Sequence, residues 1–321
     1  MNVFLFIITN NIIPIFLLII IGYVLSKKFA LDIQTIIKLN FYIFVPSFAF
    51  VNLYTTQISF EMAKVLIATI VMLLINLTVS WVISKIKKYD DGLMYAFTNS
   101  ISFYNVGNIG IPLITLVFSS SPFVVNGETP YLGIALTAQI MVFVVQSISV
   151  NTVGFINAGR ANAHWGESLR QVLRMPTVYV IPLAFFLKAI SYDMTTLPIW
   201  PALNYSKNAL VPIALIALGI QLSRTSFEFK NKKIYLSVVI RLLGGPILSM
   251  LIIHALSMEG IVAQVLFISS GLPTAVNTAL IAVEYDNYPD FVSQVVMTST
   301  LLSAVSIVFI IYAARILYPI M

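Results

Sequence analysis

The amino-acid sequence predicts an all-α polytopic membrane protein, and three observations carry that prediction. Of 321 residues, 59% are apolar and only 9% are charged, whereas a soluble domain needs roughly 25% charged residues to solvate its surface. The mean hydropathy is +0.96, the value of a chain whose outer surface meets lipid. The apolar residues also come in runs near the length of helix, about 20 residues, that crosses a hydrocarbon core of about 30 Å.

Ten such runs can be read, at approximately residues 3–25, 36–55, 62–84, 93–118, 130–156, 175–192, 198–222, 234–257, 260–283 and 290–316. Span one is kept as a membrane helix and not as a cleavable leader. Nothing basic precedes it, Lys27 and Lys28 follow it, and no small-residue cleavage pattern appears. Span two carries Phe44-Val45-Pro46-Ser47-Phe48-Ala49, and span three runs uninterrupted to Lys85. Span four is interrupted by Asn105-Val106-Gly107-Asn108-Ile109-Gly110-Ile111-Pro112. Span five places Gln139 and Gln146 seven residues apart, on one helical face, which either faces the interrupted spans or hydrogen-bonds between helices. Residues 157–174 read as a cytoplasmic connector, with Ala158 to Arg174 as a surface helix. Span six contains Pro182, and span seven is the most polar, with Asn204, Lys207 and Asn208 in its first half. Span eight holds Arg241 and ends near His254. Span nine is interrupted by Ser269-Ser270-Gly271-Leu272-Pro273-Thr274-Ala275-Val276-Asn277-Thr278, and span ten contains Thr298 to Ser303.

Charge placement orients these spans. Thirteen of the eighteen Lys and Arg fall in or beside the loops after odd-numbered spans, and three fall after even-numbered spans or near the chain ends. The positive-inside bias puts the odd loops in the cytoplasm and both termini outside. The net charge of +6 is therefore a topology signal. It is dispersed in short clusters, unlike the basic face of a nucleic-acid-binding protein, so the expected partner is the lipid bilayer and not nucleic acid. With no cysteine, a disulfide framework, thiolate metal sites and a cysteine nucleophile are excluded.

Ten spans around a basic connector suggest two inverted five-helix repeats, residues 1–156 and 175–321. Pro46 and Pro212 occupy matching places in spans two and seven, as do Pro14 and Pro182 in spans one and six. Spans four and nine are broken at equivalent places, and paired interruptions of this kind point to a transporter binding site. Glycine and proline interrupt the helical ladder, and non-helical backbone at membrane depth is tolerated only inside protein or along a cavity. If each helix restarts near its proline, two N-termini converge at the midplane. Each acts as roughly half a positive charge, so together they attract a carboxylate. Asn105, Gly107, Asn108, Gly110, Pro112, Gly271, Pro273, Thr274 and Asn277 are the candidate substrate-binding residues of this crossing. The alternative is that glycine and asparagine simply let helices approach and hydrogen-bond.

The segment Asn105 through Pro112 and Leu113 resembles the Asn-x4-Gly-x-Pro-Leu core of the auxin efflux carrier family. Ser270-Gly271-Leu272-Pro273, Ala282-Val283-Glu284-Tyr285-Asp286 and Thr298-Ser299-Thr300-Leu301-Leu302-Ser303 also match that family's pattern. The resemblance covers essentially the whole chain, in the compact form of bacterial members. It implies five-plus-five inverted repeats with crossed spans four and nine, and a homodimer. It also implies transport of carboxylates, with malate or malonate proposed for bacterial members. At the level of fold alone the chain is similar to the bile-acid sodium symporters.

Outside the crossing, Gln139, Lys207 and Arg241 complete the candidate set, the two cations as a bias toward anions; snorkelling and interhelical hydrogen bonding are the alternatives. Neither His254 nor His164 has a metal-ligand grouping around it, so no metal or cofactor is expected. All twelve acids lie in loops or at span edges, which argues against a carboxylate proton relay. A coupling ion, Na⁺ or H⁺, stays open. An intramembrane enzyme would need a nucleophile with its base, or metal ligands, at depth, and the sequence supplies neither. The reading is a secondary transporter of small organic anions, carboxylates such as malate or malonate or auxin-like acids, that works by alternating access. A sodium-coupled symporter and a membrane ligand sensor are the alternatives.

Overall fold

A computed structural model describes residues 3–57, 60–159, 170, 173–190, 193–224 and 231–320. His164 and most of the expected connector helix lie outside the described residues. The described chain is helical: α1 (Val3–Lys28), α2 (Ile33–Thr55), α3 (Glu61–Ile86), α4 (Asp91–Ser102), α5 (Val106–Phe118), α6 (Leu132–Gly159), α7 (Pro176–Ala189), α8 (Trp200–Leu222), α9 (Lys232–Ala255), α10 (Gly260–Ser270), α11 (Val276–Glu284) and α12 (Pro289–Leu317). Among the described residues there is no strand longer than an isolated bridge. Seven helices, α1, α2, α3, α6, α8, α9 and α12, are long and apolar enough to cross a membrane, and α5, α7 and α10 are shorter apolar helices. Leu17, Ile20 and Val24 on α1, like Leu251 on α9 and Phe309 on α12, are more than half exposed. This is what a lipid-facing surface requires.

Prolines shape the long helices. Single π turns end two residues before a proline at Ile8–Ile12 (Pro14), Asn40–Phe44 (Pro46), Val106–Gly110 (Pro112) and Ile240–Gly244 (Pro246). A proline ring clashes with the carbonyl four residues back and donates nothing to it, and widening the preceding turn relieves both problems. A fifth π turn, Val150–Gly154, has no such proline. There Asn151 and Thr152 turn their own side chains onto the carbonyls of Ser147 and Ile148.

The helices pack as two groups. One comprises α1, α2, α7 and α8: α1 lies along α8, α7 along α2, and α2 against α8. The contact of α1 with α8 is backbone to backbone, because a Cβ at Gly22 or Gly219 would run into the main chain of Ile216 or Ile19. In the other group α3 packs on α4 and α6, α9 on α10 and α12, α6 on α10, and α4 on α12. Lysines clasp the first group at both ends. Lys27, closing α1, donates to the carbonyl of Ser223 just past α8 (2.8 Å). Lys188, closing α7, donates to the carbonyls of Leu53 (3.2 Å) and Thr56 at the end of α2.

Candidate functional site

The broken spans cross within the second group. Between α4 and α5 the chain leaves the helix at Phe103-Tyr104-Asn105, and between α10 and α11 at Gly271 to Ala275. The two extended pieces pair antiparallel. The Asn105 N–H donates to the Pro273 carbonyl (2.8 Å), and the Ala275 N–H donates to the Phe103 carbonyl (2.9 Å). Tyr104 faces Thr274 across this bridge. Buried backbone that has left its helix must find partners, and each broken span supplies them to the other. Thr274 adds two bonds: its hydroxyl donates to the Ser100 carbonyl (2.8 Å), and its N–H donates to Ser299 Oγ (3.1 Å).

The break in span four therefore precedes the glycines. The helix restarts at Val106, six residues before Pro112, so Gly107 and Gly110 sit in helical backbone. Pro112 occupies the second position of the regular α-turns that follow the π turn. Gly110 is needed for close approach: a Cβ there would strike Gln139 Nε2 and lie 2.7 Å from Leu272 Cδ1. In span nine Pro273 lies in the extended piece, and the helix restarts three residues later at Val276. Gly271 closes α10, where a Cβ would meet Ile310 and Pro246. Gln139 secures the crossing from α6. Its Nε2 donates to the Val106 carbonyl (3.2 Å) and its Oε1 accepts from the Ser269 hydroxyl.

Against the restarted helices lies a cavity with about 900 Å³ of atom-free space, part of it open to solvent. Its walls are the break and first turn of α5 (Phe103–Asn108), the first turn of α11 with its cap (Ala275–Asn277), and the last half of α6 (Phe143, Gln146, Ser147, Val150, Asn151). The opposite wall comes from α2 (Ile37, Asn40, Phe41, Val45), Met175 and α8 (Ala217, Gln221). It thus lies between the two helix groups, toward the bundle end that carries Lys27–Lys28 and Lys85–Lys88. No Asp, Glu, Lys, Arg or His is among the described lining residues. Charge at the site comes from the backbone. The first N–H groups of a helix have no acceptor within it, and two helix N-termini open here, each worth roughly half a positive charge. Asn105 caps α5 by accepting from the Asn108 N–H (3.2 Å), which leaves its buried Nδ2 without a partner. Gln146 Oε1 accepts from the Tyr104 N–H (3.4 Å), which likewise leaves Nε2 without one. Asn40 Oδ1 is a third buried polar atom without a protein partner in the same walls.

Of the twelve residues singled out by sequence, Asn105, Gly107, Asn108 and Asn277 line this cavity. Gly110, Pro112, Gln139, Gly271, Pro273 and Thr274 build the crossing behind it. Lys207 is half-buried in the first half of α8, away from the cavity lining. Arg241 is fully buried beneath the crossing and does not line the cavity either. Its Nη1 donates to the Ile101 carbonyl (2.7 Å), its Nη2 to the Ser270 carbonyl, and its guanidinium lies 4.7 Å from the Tyr104 ring centroid. Four polar wall residues escape the sequence reading, Asn40, Ser147, Asn151 and Gln221, whereas Gln146, read with Gln139 as able to face the crossing, lines the cavity. The available signal was their position: each is a polar side chain within an apolar run.

Residues 7–311 match the family described as membrane transport protein. An uncharacterised transporter of Methanothermobacter thermautotrophicus is 26% identical over 309 residues, covering 93% of this chain and 96% of the relative. Another uncharacterised transporter, from Methanocaldococcus jannaschii, is 22% identical over 120 residues, 37% of this chain and 39% of its own. With the match running through both crossing segments, the chain is an integral membrane protein that belongs to the membrane transport protein family, the auxin efflux carriers whose motifs it bears.

Proposed function

We propose that this protein is a secondary transporter of small organic anions, carboxylates such as malate or malonate, that works by alternating access. The observation that carries the reading is the pairing of two helix N-termini at one cavity whose described walls hold no Asp, Glu, Lys, Arg or His. A carboxylate entering it meets the N-terminal turns of α5 and α11, where Tyr104 and Asn105 already take the Val106 and Asn108 N–H groups, and the free amides of Asn105 and Gln146. It displaces water without competing against a resident acid. The cavity also lies between the two helix groups, where a movement of one group against the other closes one entrance and opens another.

Reciprocal packing supports a ten-span, five-plus-five inverted repeat. Exchanging the halves maps the α1–α8 contact onto α7–α2, α3–α4 onto α9–α10, α3–α6 onto α9–α12, and α5–α6 onto α11–α12, and all of these contacts are made. The lysine clasps exchange as well, Lys27 on the end of α8 for Lys188 on the end of α2. The positive-inside bias makes the basic end, and with it the cavity mouth, cytoplasmic.

Counterflow into proteoliposomes preloaded with malate or malonate tests the function. Accumulation of the labelled acid by the wild type is expected. Asn105→Ala and Asn277→Ala should each lose about tenfold or more of it, the worth of one hydrogen bond to a charged group, while still eluting as folded protein in detergent. Undiminished counterflow in both variants would move the site elsewhere.

A further inference from the structure

The crossing brings together two unlike pairs of helix ends. The N-termini of α5 and α11 open on the cavity, whereas the C-termini of α4 and α10 converge on the buried side, where the Ile101 and Ser270 carbonyls face one guanidinium. A helix C-terminus carries roughly half a negative charge, so the converging pair amounts to about one unit. Carbonyls grouped in this way at broken helices are the usual ligands of a coupling cation. Here the place is built around a side chain. Gly245 has no Cβ because one would collide with Arg241 Nη2 and the Ser270 carbonyl. The Tyr104 ring covers the guanidinium at 4.7 Å, an arrangement that favours a cation. The only ion pair among the described residues is Lys64 with Glu61, so no carboxylate neutralises Arg241. The two helix ends do so instead.

We infer that Arg241 is a built-in counter-cation, filling the position at the crossing where a mobile cation such as Na⁺ would otherwise be held, so that the protein presents its anion site without binding Na⁺ there. Arg241 is thus a positioning residue. It holds the negative helix ends together, so the positive ends stay aimed at the cavity through Tyr104, which touches the guanidinium on one side and lines the cavity on the other. The inference rests on the transporter reading only for its meaning in coupling. Its test involves no transported anion, so a failure of carboxylate counterflow would leave it standing.

The experiment is equilibrium ²²Na⁺ binding and thermal melting of the purified full chain, with NaCl exchanged for choline chloride at constant ionic strength. The wild type is expected to show no saturable ²²Na⁺ binding and a melting midpoint indifferent to the exchange. Arg241→Lys keeps a cation at the site and should stay indifferent. Arg241→Ala should melt lower and regain part of the loss in millimolar Na⁺ or methylguanidinium, neither of which shifts the wild type. Saturable Na⁺ binding by the wild type would overturn the inference, as would an Arg241→Ala protein that melts where the wild type does. If Arg241→Ala does not fold, the wild-type and Arg241→Lys measurements decide the matter.

Discussion

A buried arginine with no acid beside it is costly unless its donors are met, since removing an ion from water exacts several kcal/mol. Helix ends meet the two Nη groups of Arg241, while its buried Nε has no partner; this was invisible locally because the acceptors lie 140 and 29 residues away along the chain. The residues around it are held as tightly. Gly110→Ala should destabilise the protein by about 1–3 kcal/mol, the usual cost of overpacking, through the collision of the new methyl with Gln139 and Leu272; a lowered melting midpoint in detergent checks it. At the basic end of the bundle, Asp90 caps α4. The Leu93 N–H and then the Tyr288 hydroxyl hold its carboxyl below the ordinary carboxylate value. A group so depressed in the folded state stabilises it above the unfolded value and stops doing so as pH falls through the folded one. Asp90→Ala should therefore cost about 1 kcal/mol at neutral pH, and a melting series into acid should find the gap to wild type closing below about pH 4.

At the scale of elements, the apolar runs and their prolines were largely legible. Hydrocarbon thickness dictates helix length, and a proline distorts whatever helix contains it. Pro14, Pro46, Pro112 and Pro246 each follow a widened turn, whereas Pro182 and Pro212 sit inside α7 and α8 with no π turn before them. The break in span four was misplaced by a few residues. Glycine and proline tell where a helix can yield, but Phe103 to Asn105 leave theirs because Pro273 and Ala275 pair with them, and tertiary pairing of that range writes no local signal. In span nine Pro273 itself lies in the extended piece, so the local reading succeeded. The lysine clasps are likewise tertiary. Lys188→Met should loosen the end of α2 by about 1 kcal/mol, a charge-assisted bond discounted for partial exposure. Protection of the Leu53–Thr56 amides from hydrogen exchange should fall accordingly.

For the whole molecule, the all-helical membrane class followed from composition and the family from the motifs of two broken spans, while the cavity did not. Its walls take single polar residues from α2, α6 and α8, and no sequence pattern joins Asn40, Asn151 and Gln221 before the helices are assembled. The absence of cysteine makes the orientation directly measurable. Single cysteines at Lys28 and Lys87, exposed at the basic end of the bundle and outside the cavity, should react with a membrane-impermeant maleimide only from the cytoplasmic side, in inside-out vesicles and not in intact cells. Labelling in intact cells would reverse the orientation.

The antiparallel bridge at Tyr104 and Thr274 also bears on biogenesis. While the first half of the chain threads into the bilayer, the carbonyls of Ile101 and Phe103 have no mates, because Arg241 and Ala275 have not yet left the ribosome. The nascent α4–α5 pair must wait, sheltered by water or insertion machinery, until about 170 further residues have been made. Separately expressed halves should therefore be degraded alone and rescue one another when produced together.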